Sequence, residues 1–277
     1  MPRIMTLVSL IVVLIVISGC ESDQPREDTS KPFDITQQPR KTAGVPSELI
    51  DRIIGPFNKG VALMDQYKPV EAVRAFEEVV QLAPNWVTGR LNLGIALLNA
   101  QSDEGYERAE AELKQVIEKE PDNPYAHYAL GMLLRHLTRF DEAKAQFEAV
   151  LQIDPEDADA HYQLGILIME NDPEVARSHL EKTLEKLPHH ESACYRLQTL
   201  LRKAGEKKRA QELIQRFRVL KTSGAGVFSG MKYGEMGRYA EVIRAFEDPV
   251  AGPEPHAVPA YTDIAKTAGL LYAANGT

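Results

Sequence analysis

The residues best suited to acid–base or metal chemistry do not form a constellation in this chain. Seven histidines are spread over 277 residues, and the only adjacent pair, His189-His190, directly follows Pro188. A zinc site needs a third and a fourth ligand at short spacing, and none lies near this pair. We therefore expect both histidines to be solvated residues of a turn.

The acidic residues also lack a catalytic arrangement. Glu107, Glu110 and Glu112 alternate with Arg108 and Lys114, a pattern typical of solvated charge on an exposed helix face. No glycine-rich phosphate loop follows a strand pattern, and no nucleophile elbow occurs. The sequence predicts no catalytic residue, no metal site and no cofactor, which favours a protein that is not an enzyme.

The first residues have the pattern of a secretory signal. A start with one positive charge, Arg3, precedes residues 7–17, which are apolar except for Ser9, and small residues then lead to Cys20. An apolar core of this length is too short for a comfortable membrane span and is typical of a signal peptide. We predict a signal peptide over residues 1–19; the alternative is an uncleaved anchor helix.

The end of this segment, Ile-Ser-Gly-Cys at residues 17–20, resembles the bacterial lipobox. The resemblance implies that Cys20 carries lipid, including palmitate, and becomes the first residue of a membrane-anchored, extracytoplasmic chain. By similarity to Gram-negative lipoproteins, Glu21 favours the periplasmic face of the outer membrane. Cys194 then has no disulfide partner, and we expect it to be a buried thiol.

The next segment, residues 20–46, is predicted to be a disordered tether. It is polar, contains several prolines and offers few apolar side chains to bury. The chain as a whole carries a net charge of −8. An acidic protein is a poor ligand for nucleic acid or for an anionic lipid surface, so we expect neither as a partner of the folded part.

A pattern of about 34 residues dominates the rest of the chain. A small residue is followed by an alanine, by an aromatic or aliphatic residue four positions later, and by a proline. The copies are Gly60…Ala72…Phe76…Pro84, Gly94…Ala109…Leu113…Pro121, Gly131…Ala143…Phe147…Pro155 and Gly165…Ala176…Leu180…Pro188, then the weaker Gln198…Ala210…Ile214 and a partial Gly230…Val242…Phe246.

A period of this length is typical of stacked helical hairpins. We expect the small residues to let the two helices of a hairpin approach, and the large residue to fill the seam between hairpins. The prediction is an all-α solenoid of five repeats plus a partial sixth over residues 47–248. The partial repeat should cover apolar residues of the preceding helix, namely Leu213, Ile214 and Phe217.

These recurring residues resemble the tetratricopeptide repeat (TPR) motif over roughly residues 53–248. The resemblance implies a concave groove lined by the first helix of each hairpin. One large side chain per repeat falls at the same groove position, and polar residues lie around this stripe. The stripe is Phe57, Leu91, Tyr128, Tyr162 and Tyr195, and the polar residues are Asn92, Arg135, Arg196 and Arg202.

Two interpretations of the stripe remain open. Tyrosine and arginine are frequent anchors for bound segments, so the groove is predicted to hold a protein or peptide with acidic residues toward the arginines. Alternatively, the tyrosines mainly pack against the next hairpin.

The C-terminal residues 249–277 read as a proline-rich linker followed by a short capping helix. Residues 261–270 also resemble the opening of extracytoplasmic proteins with FG-GAP propeller repeats and an ASPIC/UnbV module. Two functions are thus predicted. The first is a membrane-anchored, extracytoplasmic TPR scaffold for protein–protein interaction in the cell envelope. The alternative is the N-terminal adaptor part of a split or truncated propeller protein of this type.

Overall fold

A computed structural model describes residues 45–246 of the chain. Consecutive helices pack as five hairpins, α1 with α2 through α9 with α10. This confirms the predicted all-α solenoid of five repeats. The helices are α1 Ser47–Asp65, α2 Pro69–Leu82, α3 Val87–Ala100, α4 Asp103–Lys119, α5 Pro124–His136, α6 Phe140–Ile153, α7 Ala158–Ile168, α8 Pro173–Lys186, α9 Glu191–Lys203 and α10 Lys207–Ser223.

The recurring glycines make room for a large side chain of the second helix. A Cβ atom on Gly60 would lie 2.6 Å from a ring carbon of Phe76, and one on Gly131 would lie 2.9 Å from Phe147. Since only glycine permits this approach, the large residue packs inside its own hairpin, whereas we expected it in the seam between hairpins. Gly94 faces Leu113 and Gly165 faces Leu180 in the same way.

The turns between hairpins fix the start of the inner helices through side-chain caps. Asn123 Oδ1 accepts the N–H of Ala126 at 3.1 Å, and Pro124 occupies the first helical turn. Asp157 Oδ1 accepts the N–H of Ala160 at 2.7 Å and caps α7. Capping satisfies backbone donors that the first turn of a helix leaves unpaired.

His190 caps α9, which corrects its predicted role as a solvated turn residue. Its Nδ1 accepts the N–H of Ala193 at 3.1 Å, and its side chain is fully buried. Burial lowers the pKa of His190 to about 4, so the ring is neutral at pH 7.

After α10 the chain returns along the inner side of the hairpins in a non-helical path. It turns at Gly224, whose φ of 67° suits glycine. Residues 225–246, here called the strap, contact α9 at Val227 and then the C-terminal ends of α5, α3 and α1 at Met231 and Tyr233. Residues 236–239 next contact α5 and α7, and Ile243 and Phe246 finally contact α3 and α1. One short 3₁₀ helix, Arg238–Ala240, interrupts this path.

The predicted partial sixth repeat, Gly230…Val242…Phe246, is therefore wrong, because no α-helix forms in the strap. Its sequence at 237–246 follows the start of α6 at 138–147, with arginine, an aromatic residue and phenylalanine in matching places. The strap instead inserts Met236, Tyr239, Val242 and Ile243 into the core of the first hairpins. That burial, not local helix preference, decides its conformation.

The strap also does not cover α10 in the way expected of a sixth repeat. Leu213 packs in a separate cluster around Leu180 and Leu197, which contains no strap residue. Ile214 and Phe217 remain half-buried. The inner face of the hairpins, rather than the outer face of α10, is thus the surface that the strap protects.

Candidate functional site

The most polar contact between strap and hairpins is an arginine held by two buried carboxylates. Arg238 Nε donates to Asp157 Oδ2 at 2.8 Å, and its Nη2 donates to Asp154 Oδ2. Asp154 and Asp157 are only 4% and 2% exposed. Tyr239 Oη adds a third bond by donating to Asp154 Oδ2 at 2.8 Å. An arginine fork shared between two carboxylates is a strong and directional contact.

Burial controls the electrostatics of this acidic pocket. Loss of water, and to a smaller extent the neighbouring Asp159, raise the pKa of Asp157 to about 6 even though the Ala160 N–H and Arg238 act in the opposite direction. Burial also raises the pKa of Asp159. At neutral pH the pocket therefore holds negative charge at a cost, which a cation in contact with it offsets.

The residue before the arginine is also tightly constrained. Gly237 has φ 106°, and a Cβ there would lie 2.7 Å from Tyr128 Oη and 2.8 Å from Asp159 Cβ. Tyr128 Oη donates to the carbonyl of Met236 at 2.5 Å. The Asp159 carboxylate accepts the backbone N–H of Arg238 at 3.4 Å. The inner face thus contacts the backbone as well as the side chains of the strap.

The N-terminal hairpins hold the last part of the strap. Asn92 is fully buried, and its amide makes both bonds to the backbone of Ile243: Nδ2 donates to the carbonyl at 2.9 Å and Oδ1 accepts the N–H at 2.8 Å. The Phe246 ring lies 5.3 Å from that of Phe57 and 5.6 Å from that of Trp86. This end therefore combines backbone pairing with an aromatic cluster.

The first part of the strap bonds to α9 and α5. Val227 makes two backbone bonds, donating to the His189 carbonyl at 2.9 Å and accepting from Glu191 N–H at 3.0 Å. His190 Nε2 lies 3.0 Å from Ser229 Oγ, and because its Nδ1 already accepts a bond, Nε2 is the donor. Arg135 Nη2 lies 3.0 Å from Met231 Sδ.

Only part of the predicted groove takes part in strap binding. Phe57, Asn92, Tyr128 and Arg135 contact the strap directly. Leu91 is fully buried in the same core. The sequence therefore found the inner face, but it did not show that this face is occupied.

The other predicted groove residues have different surroundings. Tyr162 is buried with its ring 4.6 Å from that of His190. Tyr195 is 45% exposed beside Phe217. Arg196 and Arg202 are exposed. The predicted lipid site, Cys20, lies outside the described residues.

The acidic pocket and its arginine are the features that the sequence analysis missed. A signal did exist in the turn before α7, which reads Asp154-Pro-Glu-Asp157. The equivalent turns at 83–86, 120–123 and 187–190 do not carry two aspartates at these places. The burial of Asp154 and Asp157, however, depends on the strap, and the spacing of residues in the sequence does not show it.

Other chemistry is limited within residues 45–246. No group of three or more metal-ligating side chains occurs there. Burial raises the pKa of the Cys194 thiol to about 11, so this cysteine is a buried, unreactive residue, as predicted. No helix of the described part is long and apolar enough to cross a membrane.

Five stacked hairpins with a segment along their inner helices define a helical repeat protein. The sequence profile of the tetratricopeptide repeat family matches residues 63–133 and 103–165. The chain therefore contains tetratricopeptide repeats. No curated protein sequence matches it significantly.

Solved structures show the same fold. MamA (residues 41 to the end) from Desulfovibrio magneticus RS-1 is 24% identical, with a TM-score of 0.55 over 62% of this chain and 97% of that one. Another crystal structure of MamA is 20% identical, with a TM-score of 0.52 over 60% and 96%. YrrB, described as a TPR protein with an unusual peptide-binding site, is 18% identical, with a TM-score of 0.50 over 63% and 91%.

The resemblance of residues 261–270 to propeller proteins has no support from these comparisons. The family match ends at residue 165, and residues 249–277 lie outside the described range.

Proposed function

We propose that this chain is a membrane-anchored, extracytoplasmic TPR scaffold that binds a segment of another cell-envelope protein along its inner face. The observation that carries the proposal is the strap itself. The inner helices hold it through bonds to its backbone, through an ion pair and through aromatic contacts. A surface with these groups suits an extended segment of a partner. YrrB, a protein of the same fold, is described as having a peptide-binding site.

Two exposed aromatic side chains, one on an inner helix and one on a second helix, offer a way to test this. Tyr195 lies on inner helix α9 and is 45% exposed, whereas Phe140 begins second helix α6 and is 53% exposed. A photo-crosslinking residue at position 195 of the full chain should form a discrete adduct in envelope extract, and one at position 140 should not. Adducts at neither position, or equal adducts at both, would contradict binding along the inner face.

The membrane anchor is the second part of the proposal and rests on the lipobox-like segment before Cys20. Replacing the cysteine removes the thiol that would carry the lipid, so Cys20→Ala should abolish palmitate labelling and release the protein from membranes. Cys194→Ala is the matched control, because Cys194 is buried and should leave both readouts unchanged. Labelling that persists in Cys20→Ala would rule out the anchor.

A further inference from the structure

The strap contains a three-residue sequence, Gly237-Arg238-Tyr239, and side chains of the inner face contact each of these residues. On the basis of the proposed function, we infer that this face selects partner segments carrying glycine, arginine and an aromatic residue in succession. The strap is then a displaceable copy of that ligand, held within the same chain.

The arginine position is set by charge and geometry. The guanidinium of Arg238 bonds to Asp157 through one edge nitrogen and to Asp154 through another. Lysine offers a single point of charge and cannot make this fork, and an acidic residue would be repelled by both carboxylates. At this position the proposed ligand residue is basic, whereas the sequence analysis expected acidic ligand residues opposite the groove arginines.

The two neighbouring positions are set by shape. Any side chain at position 237 would collide with Tyr128 and Asp159 and would oppose the positive φ found there. The ring of Tyr239 lies 4.9 Å from that of Tyr125, almost perpendicular to it, while its hydroxyl reaches Asp154. An aromatic residue with a hydroxyl therefore fits the third position best.

The burial of the pocket explains why exchange is the expected mode of binding. The strap both covers Asp154 and Asp157 and supplies the cation that offsets the cost of burying their charge, so a partner segment that covers them must also supply a cation. A partner arginine that takes the place of Arg238 restores the pair. A tethered strap competes at an effective concentration on the order of mM, so the wild-type chain should bind free ligand weakly.

A synthetic, fluorescent peptide of residues 230–246 is the probe, and the full chain is its receptor. The variant Arg238→Ala/Tyr239→Ala weakens the strap but leaves the pocket intact, so it should bind the peptide at least tenfold more tightly than wild type. Adding Asp154→Asn/Asp157→Asn to that variant should remove at least tenfold of this affinity. Asparagine at 157 can still cap α7.

Peptide variants decide the question without any change to the receptor. Against the Arg238→Ala/Tyr239→Ala chain, peptides with Gly237→Ala or Arg238→Lys should each bind at least fivefold more weakly than the unmodified peptide. A peptide with Lys232→Ala is the control and should bind as well as the unmodified one, because Lys232 is exposed. Equal binding of all peptides, or no gain from weakening the strap, overturns the inference.

The inference and the proposed function can fail separately. If adducts form at position 195 but the peptide series shows no preference, partners bind the inner face by other contacts and only the inference is wrong. If the peptide series behaves as expected but no envelope protein is crosslinked, the site exists and the proposed function is wrong.

Discussion

At the scale of single residues, His161 and His179 form a hydrogen-bonded pair between the two helices of one hairpin. His161 Nε2 lies 3.0 Å from the Pro155 carbonyl, which can only accept, so this nitrogen carries the proton. Its Nδ1 must then accept from His179 Nδ1, 2.8 Å away. In the preceding repeat, His127 makes the same carbonyl contact, but its Nδ1 lies 2.7 Å from Gln146 Oε1. His179 and Gln146 are thus equivalent partners.

The histidine pair predicts an acid-sensitive stability. Burial, with the neighbouring His161, lowers the pKa of His179 to about 4. The unfolded chain therefore binds more protons than the folded chain between pH 4 and about 6.5, and the free energy of unfolding falls as pH falls through this window. His179→Gln replaces the histidine pair by a histidine–glutamine pair like that of the preceding repeat. The free energy of unfolding should then fall by about 1 kcal/mol less between pH 7 and 4.5 than in wild type, which corresponds to ~2–4 °C in Tm.

Thermal unfolding at both pH values provides the measurement. The control is His136→Gln, because His136 is an exposed histidine at the end of α5. The converse variant, Gln146→His, creates a second histidine pair and should make the free energy of unfolding fall more steeply between pH 7 and 4.5. An unchanged difference between the two pH values in His179→Gln would show that the pair does not control acid stability.

At the scale of elements, charged pairs join the second helix of one hairpin to the next. Arg108 of α4 pairs with Glu77 of α2, and Arg209 of α10 lies 3.0 Å from Glu181 of α8. Glu110, which we expected to be solvated, is mostly buried by Arg139 and Lys114, and the hydrogen bond from Arg139 lowers its pKa. Each of these partly exposed pairs contributes about 1 kcal/mol or less to the free energy of unfolding. They therefore matter more for the alignment of neighbouring hairpins than for stability.

Helix α3 holds the end of the strap through Asn92, which leads to the second prediction. Asn92→Ala leaves a buried N–H and a buried carbonyl of Ile243 without partners, a loss of about 1–3 kcal/mol. The end of the strap should therefore open. Hydrogen exchange at Ile243 should become much faster, while the centres of α3 and α5 keep their protection.

Asn99→Ala is the matched control for this experiment. Asn99 is also a buried asparagine of α3, but its Nδ2 bonds only to the Ile95 carbonyl of the same helix at 2.8 Å. It should leave exchange at Ile243 unchanged. Faster exchange throughout α3 and the strap in Asn92→Ala would mean that the two open together and that the strap is not a separate unit.

At the scale of the described range, the strap replaces solvent on the inner face, which gives the third prediction. A chain ending at Ser223 loses the cover over residues such as Phe57 and Tyr128. It should bind a hydrophobic dye and self-associate, because large exposed apolar patches favour association. A chain ending at Phe246 keeps the strap and should remain a monomer without dye binding. Sedimentation and dye fluorescence make the comparison.

The two chains also distinguish the strap from a terminal cap. If the strap covered α10, the shorter chain would expose Leu213, Ile214 and Phe217 instead, and adding the 230–246 peptide would not restore its solubility. Identical behaviour of the two chains would show that the strap is not needed to cover the inner face.

The sequence alone determined the repeat architecture. The local signals are a glycine facing a large residue of the next helix, a proline after the second helix of each of the first four hairpins, and a cap such as Asn123 before Pro124. Each hairpin also contacts mainly its neighbours. Period and spacing therefore predict the five hairpins and the inner position of residues such as Tyr128. The same local logic failed at residues 237–246, because they carry the pattern of a second helix.

Only the tertiary structure decided that the inner face binds the strap. Arg238 meets Asp157 across 81 positions of the chain, and Asn92 meets Ile243 across 151. Contacts at such separations do not appear in a repeat period, since they join residues that lie several repeats apart. Burial of Tyr239 and Val242 outweighs the weak helix preference of this short segment. Residues 237–246 therefore bind to the inner helices and do not form a second helix of their own.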